Sequence, residues 1–126
     1  MELIQTHAAP TPAGHYSQAV VHGATVYVAG QLPYDPDHPT APLPTSVEEQ
    51  TERVLKNISA ILEAAGSNLS LVLQATIYVS DQDHWGPVNE AFGRVMGPHR
   101  PARAIVPVNE LKGAALEVQV IAAVGS

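Results

Sequence analysis

The chain contains no cysteine. Disulfide staples, thiol nucleophiles and Cys-based zinc sites are thereby excluded together. Positive charge is also scarce: six Lys and Arg stand against twelve Asp and Glu, for a formal net charge of −6. So acidic a chain, with no run of cations, is a poor match for a phosphate backbone, and nucleic acid is not an expected partner. No apolar run approaches the roughly 20 residues of a membrane span. Met1-Glu2-Leu3-Ile4-Gln5-Thr6-His7 lacks the basic segment and apolar core of a secretory signal. The expectation is a cytoplasmic protein with no membrane partner. His7, His15, His22, His38, His84 and His99 show no ligand spacing, and the chain has no GxGxxG, Walker or GxSxG segment. No metal is expected.

What is present is the material of one domain over residues 1–126, a length at which one hydrophobic core suffices. Residues 1–15 read as a short strand or arm followed by a loop. Tyr16–Val21 and Thr25–Gly30 read as strands joined at His22-Gly23, a hairpin rich in β-formers. Pro33, Pro36, Pro39, Pro42 and Pro44 forbid regular structure over residues 31–46. Ser46-Val47-Glu48-Glu49 forms a capping box. The helix it opens carries Val47, Val54, Leu55, Ile58, Ile61, Leu62 and Ala65 on one stripe, and Gly66 stops it. Val72–Ser80 alternates as a strand, with Leu73, Ala75, Ile77 and Val79 on one face. Asp81-Gln82-Asp83 turns the chain into a second helix ending near Met96, with an apolar stripe of Trp85, Val88, Phe92, Val95 and Met96. A strand follows to about Val108, then a loop at Asn109–Gly113. In the last strand, Ala114–Val124, Glu117, Gln119, Ile121 and Ala123 share a face opposite Leu116, Val118, Val120, Ala122 and Val124. The order β-β-α-β-α-β-β predicts an α+β fold, two helices packed on one mixed sheet. Apolar residues on both faces of the strands predict oligomerisation.

Pro101-Ala102-Arg103-Ala104-Ile105-Val106 is the segment with the clearest chemical tension. Arg103 interrupts an apolar strand flanked by small and β-branched residues, which predicts burial and a need for an anionic partner. Glu117 interrupts the next strand across a short loop, so the two strands are expected to be neighbours. An internal salt bridge is one reading. The other is an Arg fork for a ligand carboxylate beside a Glu that handles a proton or water. On the residues alone both stand. Read in isolation, Tyr16 is a packing residue, Asn89 a solvent-facing one and Gly30 turn chemistry.

Several segments, in order along nearly the whole chain, resemble the RidA (YjgF) family of reactive-intermediate imine deaminases. They are Gly14-His15-Tyr16-Ser17-Gln18, Val28-Ala29-Gly30-Gln31-Leu32-Pro33, the helix from Gln50 through Asn57 to Ala64-Ala65-Gly66, Val88-Asn89, Pro101-Ala102-Arg103 and Leu116-Glu117-Val118. The resemblance implies a chorismate-mutase-like fold and a homotrimer whose sheets form a central barrel with clefts between subunits. It implies hydrolysis of enamines and imines of the 2-aminoacrylate and 2-iminobutanoate type to 2-keto acids and ammonia, without a cofactor. Arg103 would bind the substrate carboxylate and Glu117 would position or activate water. Tyr16 and the Gly30 backbone would line the cleft, Asn89 and Trp85 would shape it from the same or a neighbouring subunit, and a backbone amide at Ile105 would assist Arg103. The chain departs from the family where Ile105 replaces a common Cys, where Ala29 replaces a Ser, and where the loop before Glu117 is one residue shorter. These departures point to a larger or more apolar enamine. A carboxylate-binding or regulatory trimer with little catalysis is the alternative. RNA cleavage, a third reading attached to the family, conflicts with the acidic composition.

Overall fold

The computed structural model describes residues 1–125. Its strands are β1 (Glu2–Ile4), β2 (Ala19–His22), β3 (Thr25–Gln31), β4 (Val72–Val79), β5 (Ala102–Pro107) and β6 (Leu116–Ala123). The helices are α1 (Val47–Ala64) and α2 (Trp85–Met96). The strands form one mixed sheet in the order β1-β2-β3-β6-β4-β5, and only β4 and β5 run parallel. Both helices pack on the same face, giving the expected α+β layering.

Helix α1 follows its sequence closely. The Glu49 amide donates to Ser46 Oγ at 3.0 Å, and Ser46 Oγ–H donates back to Glu49 Oε1 at 3.0 Å. The far end closes as a Schellman motif: Gly66 takes φ +79°, and the Ser67 amide donates to the Leu62 carbonyl at 2.8 Å. Val54, Leu55, Ile58, Ile61 and Leu62 are buried, each contributing roughly 1.5–3 kcal/mol of transfer free energy. Opposite them lie Val26, Val28, Ala75, Ile77, Val118 and Val120, also buried. The parity expected for β6 holds, with Leu116, Val118, Val120 and Ala122 inward.

Four expectations are corrected. First, Tyr16 is not in a strand, because β2 starts only at Ala19. The Gln18 carbonyl still accepts from the Ala29 amide at 2.9 Å, but the pairing with β3 goes no further toward Tyr16. Second, a register shift between Val72 and Gln74 buries Val72 and leaves Leu73 54% exposed. Third, Trp85 and Val95 are exposed, at 50% and 37%, and Ala91 completes the buried stripe of α2 instead. Fourth, β5 and β6 are not neighbours, since β4 lies between them. The reason is the β4–α2–β5 unit: parallel strands joined by a helix lie side by side, and β6 occupies the other edge of β4. That makes β5 an edge strand, so Arg103 is half-buried rather than buried.

The face away from the helices carries Tyr27, Thr76, Tyr78 and Ile121. Tyr27 is 48% exposed, and the other three are half-buried.

Candidate active site

The separation of Arg103 from Glu117 follows from register. Arg103 pairs with Ala75, whose side chain faces the helices, whereas Glu117 pairs with Tyr78, whose side chain faces away. The two charges therefore stand on opposite faces of one sheet. The salt-bridge expectation fails for that reason. The ion pairs among the described residues are His38–Asp35 and Arg94–Glu90.

Arg103 is held by α2. Its Nη2 donates to Asn89 Oδ1 at 2.8 Å. The guanidinium lies 5.1 Å from the Phe92 ring centre and 5.8 Å from that of Trp85. Cation–π contacts of this kind contribute about 0.5–1 kcal/mol where exposed; here they also fix the plane of the fork. Asn89 is thus not a solvent-facing residue, since its amide oxygen anchors the cation. Arg103 opens onto a cavity of about 630 Å³, lined also by Asn89, Phe92, Met96, His99 and Arg100. Arg100 and Arg103 both line it, so the cavity carries two guanidinium groups. Ile105, two residues along the same face, packs its side chain against the core. Trp85 contacts Arg103 rather than the second cavity described next.

That cavity, of about 580 Å³, lies over Glu117 and brings Tyr16 and Gly30 to the same place. Gly30 has no room for a side chain: a Cβ there would lie 2.9 Å from Glu117 Cδ and 3.2 Å from both carboxylate oxygens. The missing side chain lets the carboxyl group rest against the backbone of β3. Gly30→Ala is expected to leave the fold intact, because the Glu117 side chain can swing away. The displaced carboxylate should nonetheless cost about tenfold to a hundredfold in any reaction that depends on it. A melting curve beside an activity measurement checks this, and equal activity in both proteins would mean that the placement of Glu117 against β3 does not matter to the reaction.

The irregular walls of this cavity are fixed by buried amides whose role the sequence reading missed. Gln18, 2% exposed, accepts from the Thr6 amide at 2.7 Å and donates to the Thr6 and Pro10 carbonyls, each at 3.0 Å. Asn57, fully buried, donates to the Tyr34 carbonyl at 2.9 Å and the Leu32 carbonyl at 3.3 Å. Gln50 donates to the Pro44 carbonyl at 2.8 Å and accepts from the Ala115 amide at 2.7 Å, next to β6. A signal for two of them was available: Gln50 and Asn57 fall on the apolar stripe of α1, where a polar side chain needs a buried partner. In the loop beyond Tyr34, the Asp37 backbone amide holds the Asp35 carboxyl below its usual range. Glu110 and Lys112 also line the cavity. Among the described residues no cluster of three His, Asp or Glu suited to a metal ion is found, and no helix is long and apolar enough to cross a membrane.

The chain is thus an α+β domain whose helix-covered face presents Arg103 to one cavity and whose open face presents Glu117 to another. Comparison with known proteins makes the assignment specific. A family profile described as Endoribonuclease L-PSP matches residues 6–124. A RutC family protein of Pyrococcus abyssi is 41% identical over 122 residues, covering 96% of this chain and 95% of its own. The 2-iminobutanoate/2-iminopropanoate deaminase of Rattus norvegicus is 38% identical over 125 residues, 98% of this chain and 90% of the relative. The crystal structure of RidA from an Antarctic Psychrobacter superposes with a TM-score of 0.93 at 39% identity, covering 98% of this chain and all of that one. The chain belongs to the RidA (YjgF) family.

Proposed function

We propose that the chain hydrolyses 2-imino acids, and their enamine tautomers, to 2-keto acids and ammonia, in a site shared by two copies of the chain. The observation that carries this reading is the pair of uncompensated charges. Among the described residues Arg103 meets a neutral amide and two rings, Glu117 forms no ion pair, and each faces a cavity. Their position on opposite faces keeps them apart within one chain. A second copy, set with its Arg103 cavity against the Glu117 cavity of the first, joins a cationic wall to an acidic one. The exposed edge of β5, the exposed Tyr27 and Leu73, and the apolar open face supply surface for such a contact. A homotrimer meets the geometry, because a cyclic arrangement repeats one heterologous contact until it closes. The rat relative's deaminase name supports the chemistry.

In this reading the Arg103 fork takes the substrate carboxylate through two parallel hydrogen bonds. The imine carbon then lies over Glu117. The carboxylate accepts a proton from water as the water oxygen bonds to that carbon and the C=N pair moves onto nitrogen. The nitrogen is protonated, the C–N bond breaks, ammonia leaves with the bonding pair, and loss of the hydroxyl proton gives the keto acid. An iminium carbon is already electrophilic, so orientation supplies much of the acceleration. Trapping of imines generated in situ by an amino-acid oxidase tests this. The protein is expected to shorten the imine lifetime well below the spontaneous value. An unchanged lifetime, with keto acids raising the melting temperature, would turn the reading to a carboxylate-binding assembly.

A further inference from the structure

On one copy of the chain the cavity over Glu117 has a volume of about 580 Å³, and a second copy set against its mouth leaves its inner wall as the surface available to a substrate side chain. Beyond Glu117 the lining includes Pro10, Pro12, Leu32, Pro36 and Leu111, which offer apolar surface, beside the polar Thr11, Tyr34, Glu110 and Lys112. This wall is also unable to close around a small guest. Proline fixes its own φ, Gln18 ties the arm at Thr6 and Pro10, and Asn57 ties the loop at Leu32 and Tyr34. A preformed apolar space of this kind rewards a ligand that fills it and costs little to organise.

We infer that this cavity receives the side chain of the substrate, and that the substrate class is 2-imino acids with a large apolar side chain, aromatic or branched. The inference rests on the deaminase reading above for its chemistry, but the cavity itself can be tested without turnover. Each buried methylene is worth roughly threefold to fourfold in binding. The imine derived from phenylalanine or leucine is therefore expected to be hydrolysed with kcat/KM about tenfold or more above that of the alanine-derived imine. Leu111→Trp fills the cavity from the loop before β6, and Ala13→Trp fills it from the arm. Each is expected to bring that ratio near one. A ratio at or below one in the unaltered protein overturns the inference, as does a ratio that neither filled variant changes. Calorimetric binding of phenylpyruvate and pyruvate separates the two readings. If no imine is hydrolysed above background while phenylpyruvate binds at least tenfold more tightly, the reaction reading falls and the cavity assignment stands. Equal binding of the two keto acids, or none, overturns the cavity assignment.

Discussion

Glu117→Gln is expected to lower kcat for imine hydrolysis by about 10²–10⁴, the usual contribution of a positioned general base, and to leave the affinity for 2-keto acids within about a factor of two, a ground-state effect only. The amide has nearly the shape of the carboxylate and can rest against Gly30 in the same way, so the substitution removes proton acceptance and little else. Arg103→Ala is expected to act on the other parameter. It removes two charge-assisted hydrogen bonds to the substrate carboxylate, a loss of about 2–3 kcal/mol that appears as roughly a 30- to 150-fold rise in KM. Arg103→Lys should recover only part of this, because an ammonium keeps the charge and loses the planar fork that Phe92 and Asn89 orient. Steady-state kinetics on both variants, with keto-acid binding measured alongside, reads the split. A fall in kcat alone for Arg103→Ala would mean that the guanidinium does not hold the ground-state carboxylate.

The second large effect is a recovery. Arg103→Ala and Glu117→Gln proteins, each nearly inactive at substrate concentrations well below the wild-type KM, are expected to regain activity there when unfolded together in equal amounts and refolded. Arg103 and Glu117 stand on opposite faces of one sheet, so a working site must draw them from different copies. With random assortment, half of the sites receive an intact Arg103 and half of those an intact Glu117. About a quarter of wild-type activity should therefore return. A site within one chain gives no recovery at any mixing ratio. Mixed assemblies shown intact by mass spectrometry, yet inactive, would rule out sharing between copies.

The local structure was largely legible in the sequence, and the assembly of the site was not. Helix α1 could be read residue by residue because a 3.6-residue period, a capping box and a terminal glycine all report on the same element. The inward parity of β6 was equally plain. Strand order was misread because chain proximity was taken for spatial proximity: the short loop between Arg103 and Glu117 suggested neighbours. The β4–α2–β5 unit instead places β5 beside β4, and β6 reaches the other edge of β4. Polar residues inside apolar strands identified Arg103 and Glu117 as unusual, but alternation within each strand cannot say which faces of two separated strands coincide. Leu73 was misplaced because a register shift breaks the alternation. Trp85 and Val95 were misplaced because helical periodicity defines a stripe without defining how wide a neighbour covers it. Gln18 lies outside any periodic element, and only its burial reveals what it does.

The strand order also bears on how the chain reaches this state during synthesis. β3 and β4 are not bonded to each other; both pair with β6. The sheet is therefore two pieces, β1-β2-β3 and β4-β5, joined by a strand made after both of them. Until residues 116–123 leave the ribosome, β3 and β4 each present an open hydrogen-bonding edge and an incomplete apolar face. Such edges invite pairing with the wrong strand, on the same chain or another. Productive collapse must wait for contacts between distant parts of the sequence, which makes it slow relative to helix formation. A ribosome stalled before β6 would expose two half-sheets without the strand that joins them, a species suited to chaperone capture rather than to assembly.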